Sequence, residues 1–318
     1  MISSKHLKQW NDMRFGLVLS GGGAKGTYEA GVIYALKQLD ILDKVSVVSG
    51  TSIGALNTLL VAMDNPEAMI HIWDEISYKD VLGTPELNGS DAVKEKLKYI
   101  KENHREMSLS DIKQELKEPA HELEFKAFTQ DRTRLLIDEY FDINKLKASK
   151  RDYYVCAYNR NKNTPVFFEL KKLSDEEAIK AALASAAIPH IFPPVEINGE
   201  LYSDGGINDP EYKKANAVNT PIEPMSRYDL DAVIVIYLSD DPKRLVTADR
   251  YSGNVINIIP SESIEAAKFT GTMNFTQTAI KEKRELGYRD AIVTLSSMIF
   301  EFLKGERSAL GEKINVEL

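Results

Sequence analysis

The stretch Val45-Ser46-Val47-Val48-Ser49-Gly50-Thr51-Ser52-Ile53-Gly54-Ala55-Leu56-Asn57 decides how this chain is read. It opens with a β-branched run suited to a buried parallel strand. It continues beyond Asn57 as Thr58-Leu59-Leu60-Val61-Ala62-Met63, a helical pattern. Between the two stands Gly50-Thr51-Ser52-Ile53-Gly54. Strand, G-x-S-x-G and helix in that order form a nucleophile elbow. The spacing has a steric origin: residues without a Cβ two positions to either side of the serine let strand and helix approach closely. The turn leaves the serine Oγ exposed above the strand end, beside the positive end of the helix dipole. The pentapeptide alone also fits an ordinary strand-to-helix loop that happens to hold a serine; the flanking pattern favours the elbow.

Working upstream, Arg14-Phe15-Gly16-Leu17-Val18-Leu19-Ser20 reads as a short apolar strand, and Thr27 to Leu36 has helical periodicity. The link between them is Gly21-Gly22-Gly23-Ala24-Lys25-Gly26. A glycine-rich turn between strand and helix points several backbone N–H groups at one spot, a place for an anion or for developing negative charge. It therefore reads either as a phosphate cradle or as an oxyanion hole. The dinucleotide version fits poorly, because the acidic residue it needs about 20 positions on belongs at the end of a second strand. Asp40 and Asp43 fall instead in a short link before the Val45 strand. A Walker A loop fails too, since Lys25 is followed by Gly26 rather than by Ser or Thr.

Working downstream, residues 66–82 read as a helix with Met69 and Trp73 as core packing, and 84–130 turns polar and irregular. Within it Lys94–Arg105 reads as a mixed-charge helix with a solvated face; by placement alone 84–130 is also a candidate cover for the site. A helix from Thr133 ends near Asp142, and Tyr153–Ala157 with Pro165–Leu170 reads as a hairpin. Ser174-Asp175-Glu176-Glu177 caps a small-residue helix that Pro189 ends, and Glu196–Ser203 forms a tight turn delivering Asp204-Gly205-Gly206. Asp231–Leu238 and Asn254–Ile259 complete the strands; the rest, from Glu262, reads as helical with a turn at Gly287-Tyr288 and a last helix Ala291–Lys304. Strands alternate with helices throughout, which predicts one α/β domain over 1–318 with a mainly parallel sheet. Its core motifs occupy 14–240, and a helical tail occupies 262–318.

With 43% apolar and 28% charged residues the chain has the means to bury a sizeable core. Its net charge of −8 gives no support to binding nucleic acid or anionic membranes. No run approaches the ~18 apolar residues of a membrane span, and the N-terminus lacks the apolar segment of a signal peptide. A cytoplasmic chain that meets any lipid at an interface is the expectation. Cys156, the single cysteine, excludes an intramolecular disulfide and reads as a buried, inert thiol.

A serine hydroxyl is a weak nucleophile and needs a base within hydrogen-bond reach. Of the histidines (His6, His71, His104, His121 and His190) none follows Asp204, so the order Ser…Asp…His cannot be built around that aspartate. His190 leaves a different arrangement open. Direct proton transfer from Ser52 to Asp204 is the better reading.

In order, Gly21–Gly26, Gly50–Gly54, the block Ala184-Ser-Ala-Ala-Ile-Pro-His-Ile-Phe-Pro-Pro194 and Asp204-Gly-Gly206 resemble the patatin-like phospholipase family over about residues 14 to 240. The resemblance implies a patatin-type three-layer α/β/α fold. It also implies a lipid acyl hydrolase of phospholipase A or lysophospholipase type, working through a Ser–Asp dyad with no metal and no cofactor. Ser52 would be the nucleophile and Asp204 the base, with the Gly22 and Gly23 amides as the oxyanion hole and Lys25 adding charge. Gly21, Gly26, Gly50, Gly54, Gly205 and Gly206 would shape the loops. The substrate would be a phospholipid or lysophospholipid at a membrane or micelle surface. One departure stands out: the family's Asn-x-Pro, usually close behind Asp-Gly-Gly, is here delayed to Asn219-Thr220-Pro221, which implies an insertion over 207–218. An acyltransferase or a neutral-lipid esterase on the same dyad is the alternative within enzymes, and a phosphate-binding module with an inactive serine the alternative outside them.

Overall fold

The computed structural model describes residues 4–77, 80–81, 129–189, 191–206, 217–247, 249–265, 272 and 274–304. The Lys94–Arg105 helix, most of the expected cover, His190 and residues 207–216 lie outside the described residues. The elements, in chain order, begin with α1 (Ser4–Asn11), β1 (Phe15–Leu19), α2 (Gly26–Gln38), β2 (Val45–Thr51), α3 (Ile53–Ala62) and α4 (Pro66–Glu75). Next come α5 (Asp131–Tyr140), α6 (Ile143–Ala148), β3 (Asp152–Asn159), β4 (Thr164–Glu169), α7 (Asp175–Ser185), β5 (Val195–Ile197) and β6 (Glu200–Asp204). The chain ends with β7 (Ala232–Ile236), β8 (Val255–Ile258) and α8 (Gln277–Lys304). Local chemistry sets the helix starts. Ser174 and Glu177 make a reciprocal capping box for α7, and Asn65 caps α4 ahead of Pro66. Asp142 caps α6, so the residue expected to end one helix begins the next.

All the described strands join one sheet. β1, β2, β3, β7 and β8 pair in parallel, while β4, β5 and β6 are antiparallel additions at the β3 side. Phe15, Leu17 and Leu19 of β1 pack on one face with Ala232, Ile234 and Ile236 of β7; Val18, Val233 and Val235 pack on the other. Both faces are buried, which is why these strands read as continuous apolar runs rather than alternating ones. Helices α2, α3, α7 and α8 contribute to the larger core. Ile222, Met225 and Tyr237 join the smaller one. A mainly parallel sheet flanked by helices is what the sequence predicts.

Two expectations are overturned. The helix read over 66–82 stops at Glu75, where Ile76 turns extended. Gly287-Tyr288 is not a turn: α8 runs unbroken from Gln277 to Lys304. A Cβ on Gly287 would overlap the Tyr28 carbonyl oxygen, and one on Gly31 would overlap the Arg284 carbonyl oxygen. The two glycines let α2 and α8 cross backbone to backbone. Tyr28 Oη donates to Asp290 at 2.9 Å across the same crossing.

Candidate active site

Strand pairing alone brings Ser52 toward Asp204. β2 pairs with residues 152–156 of β3 and β4 with 154–159, so these two hold opposite edges of β3. β6 pairs with 157–159, whose other edge β4 already fills, so β6 shares the edge used by β2. The two strands run head-on along that edge, with Thr51 opposite Cys156 and Asp204 opposite Ala157. The residue after β2 and the last residue of β6 therefore converge, although 152 positions of sequence separate Ser52 from Asp204.

Ser52 sits at φ 56, ψ −123, a left-handed conformation in which a residue with a side chain is strained. Such strain costs roughly 1–3 kcal/mol and persists only where the surroundings over-determine it. Here they do. A Cβ on Gly50 would overlap the Gly54 carbonyl oxygen, and one on Gly54 would lie 2.5 Å from the Leu19 carbonyl oxygen. The elbow closes only with glycine at both positions. The Ser52 amide donates to Ser185 Oγ at 2.9 Å.

Asp204 is fully buried. Its Oδ1 accepts the Gly206 amide at 2.8 Å, while Oδ2 has no hydrogen-bond partner. Burial pushes its pKa from 3.8 up to about 7, against the Ser52 hydroxyl and the Gly206 amide, which favour the ionised form. Neighbouring Cys156 is buried and its thiol is pushed well up by desolvation, the inert role expected of it.

The glycine loop closes the third side. A Cβ on Gly21 would lie 3.1 Å from Ser52 Cβ, which puts the loop directly against the elbow. The Gly21 amide is taken by the Asn219 carbonyl at 3.0 Å. Among the described residues, neither the Gly22 nor the Gly23 amide has a backbone acceptor. Lys25 is buried, its Nζ bonded to Glu265 at 2.9 Å, so its charge is already paired. Desolvation lowers its pKa in spite of that partner. Behind the loop, Asn57 Nδ2 donates to the Gly26 carbonyl at 3.0 Å and to Glu29 at 2.7 Å, and Asn57 Oδ1 accepts from Trp73 Nε1 at 3.1 Å.

Residues 217–220 clamp the three loops together. Asn219 Nδ2 donates to the Gly21 carbonyl at 3.1 Å, and the Val218 carbonyl accepts from Thr51 Oγ1 at 2.8 Å. The Val218 amide donates to the Gly205 carbonyl at 2.7 Å, and Ser20 Oγ meets Thr220 Oγ1 at 3.0 Å. A Cβ on Gly206 would lie 2.5 Å from Asn219 Oδ1, so Asn219 is wedged between the first and third loops. Every expected loop residue is brought to one place except the Lys25 ammonium, which turns to Glu265. Ser185, Asn219 and Glu265 carry no expected role in the sequence; Ser185 lies in the Ala184–Pro194 block and Asn219 in the delayed Asn-x-Pro, motifs that mark the positions without saying what they do.

A family model for patatin-like phospholipase matches residues 17–212, well over half of the chain. The chain belongs to the patatin-like phospholipase family. Among relatives, it is 29% identical over 196 residues to the "Probable lipid hydrolase 463L" of Invertebrate iridescent virus 6, a match covering 60% of this chain and 59% of the viral protein. It is 51% identical over 49 residues to "Lysophospholipase nte1" of Aspergillus terreus, which covers 15% of this chain and 3% of the fungal protein. The chain therefore spans well under two thirds of these relatives' lengths. Among solved structures, human GIVD cytosolic phospholipase A2 in complex with methyl gamma-linolenyl fluorophosphonate and terbium chloride superposes with a TM-score of 0.46 at 14% identity, covering 97% of this chain and 62% of that one. VipD of Legionella pneumophila gives 0.43 at 15% identity, covering 94% and 71%. Among the described residues of this patatin-like chain, no helix is long and apolar enough to cross a membrane.

Proposed function

We propose that this patatin-like chain is a lipid acyl hydrolase that cleaves fatty-acyl esters of phospholipids or lysophospholipids through Ser52 and Asp204. The observation that carries the reading is the head-on meeting of β2 and β6, which sets a strained serine beside a buried carboxylate with one unpartnered oxygen. In the first step Ser52 Oγ attacks the ester carbonyl carbon while its proton passes to Asp204. The carbonyl oxygen becomes an oxyanion facing the Gly22 and Gly23 amides, each such donor being worth roughly 2.7–4 kcal/mol in the transition state. The carbon–oxygen bond to the lysolipid or glycerol then breaks, and Asp204 returns the proton to the departing oxygen. Water, deprotonated in turn by Asp204, attacks the acyl carbon; the bond to Ser52 Oγ breaks, Asp204 returns the proton to Ser52, and the fatty acid is released. A base with a pKa near the working pH suits both proton transfers.

The lipid class is supported by an apolar pocket, partly open to solvent, whose lining begins at Ile53, the residue following the serine. Leu56, Leu60, Trp73, Ile137 and Phe141 line it, surroundings that suit a hydrocarbon chain. Mixed phospholipid vesicles incubated with the wild type should yield free fatty acid and lysolipid by mass spectrometry, and Ser52→Ala should yield neither. A fluorophosphonate probe should label the wild type and not Ser52→Ala. Acyl transfer to an alcohol acceptor without free acid would assign the transferase instead. A folded wild type that neither labels nor turns over would leave the glycine loop as a simple anion site.

A further inference from the structure

The site has a support that its three loops do not provide. Helix α7 ends at Ser185, whose side chain is fully buried. Ser185 Oγ accepts the Ser52 amide at 2.9 Å and donates its own hydrogen to the Cys156 carbonyl at 2.5 Å. A hydroxyl has a single hydrogen, so with that hydrogen on Cys156 its lone pairs are turned toward the Ser52 N–H. Two residues on, the Ala187 carbonyl accepts the Asp204 amide at 2.8 Å. One helix end thus grips the main chain at the serine and at the aspartate together.

The position of Ser52 explains why its amide needs this partner. Thr51 is the last residue of the β2 ladder and Ile53 the first of α3, so the amide between them serves neither element. A buried N–H left without an acceptor is costly. Many acceptors would satisfy it, but this one is pinned to β3, the strand that also sets the register of Asp204. With its amide engaged by Ser185, Ser52 has no N–H of its own to give an oxyanion.

We propose that Ser185 is a positioning residue: without touching substrate, its hydroxyl holds Ser52 in the left-handed elbow and keeps Oγ directed at Asp204. The proposal rests on Ser52 being the nucleophile, so the test carries a separate arm for that reading. Wild type, Ser52→Ala, Ser185→Ala, Ser185→Thr and Ser185→Cys would be compared on p-nitrophenyl butyrate and a fluorophosphonate probe, well below the melting temperature of each. Ser185→Ala should lower kcat about 10- to 100-fold, as sub-ångström misplacement of a reacting group does. Its KM should stay within about twofold, since uniform binding is untouched. The labelling rate should fall by the same factor as kcat. The acid limb of kcat/KM should stay where it is in the wild type, because the Ala187 bond still holds Asp204. Ser185→Thr, which keeps the hydroxyl, should recover most of the loss. Ser185→Cys, with a similar shape and a weaker hydrogen bond, should behave like Ser185→Ala and reads the same effect should the alanine variant fail to fold.

A Ser185→Ala or Ser185→Cys protein with wild-type kcat, whatever its melting temperature, overturns the proposal. So does a loss of rate accompanied by a moved acid limb, which would trace the effect to the aspartate. Turnover or labelling retained in Ser52→Ala overturns the nucleophile assignment and the proposal with it, and is read at position 52 alone.

Discussion

Enclosure on all sides makes Asp204 hold its proton until the solution is nearly neutral, with a pKa of about 7. As the proposed base it works only when ionised, so kcat/KM should rise with pH along a limb centred near 7. Stability should run the other way. The folded pKa lies above the unfolded value of 3.8, so this group's favourable contribution is complete below about pH 4 and lost as pH rises through 7. The loss amounts to up to about 4 kcal/mol. Asp204→Asn keeps an acceptor for the Gly206 amide but cannot take a proton. It should lower kcat by about 10²- to 10⁴-fold and remove the limb, while melting higher than the wild type at pH 8 and showing little of that difference at pH 4. Melting curves at both pH values, with the rate profile, check the pair; a variant less stable than wild type at pH 8 would mean that the carboxylate is not buried as described. Ser52 and Asp204 stood out in the sequence because glycine-punctuated turns announce them. The bonds made by their supports were not legible there, although motif letters marked both positions. Ser185 acts on a residue 133 positions away and Asn219 on one 198 away, and no local spacing encodes a hydrogen bond of that range.

Elements were read correctly where periodicity and turn chemistry agreed: β1, β2, the β3–β4 hairpin, α7 and the strands β7 and β8 fall where the pattern puts them. The failure at Gly287 has a physical cause. Glycine is a poor helix residue, so Gly287-Tyr288 reads as a break, yet there it serves contact with another helix rather than the local backbone. Two forces then oppose one another in Gly287→Ala. Helix propensity favours alanine by about 1 kcal/mol. Against it, the new methyl would overlap the Tyr28 carbonyl oxygen, a backbone atom that cannot swing aside. Overpacking of this kind costs about 1–3 kcal/mol, so the net effect should be destabilising and visible as a lowered Tm. An exposed helical position such as Val293→Ala supplies the comparison, where propensity acts without a clash. An unchanged or raised Tm in Gly287→Ala would show α2 and α8 farther apart than the crossing described.

At the scale of the molecule, net charge sets how the protein meets a lipid surface. The chain carries 48 acidic against 40 basic residues, a balance of −8. An anionic bilayer should therefore repel it and a zwitterionic one should not, with the repulsion reaching only as far as salt permits. The screening length shrinks from about 30 Å at 0.01 M to about 8 Å at 0.15 M ionic strength. The measurement follows one reporter phosphatidylcholine embedded either in phosphatidylcholine vesicles or in vesicles that also contain anionic phosphatidylglycerol, whose negative surface potential acts over about a Debye length. Because the cleaved molecule is the same in both, headgroup preference cancels and only the approach differs. At low salt the zwitterionic vesicles should be hydrolysed at least about threefold faster, and the gap should close by 0.15 M. A faster rate on the anionic vesicles at low salt would place a basic patch around the mouth of the site, strong enough to outweigh the charge of the whole.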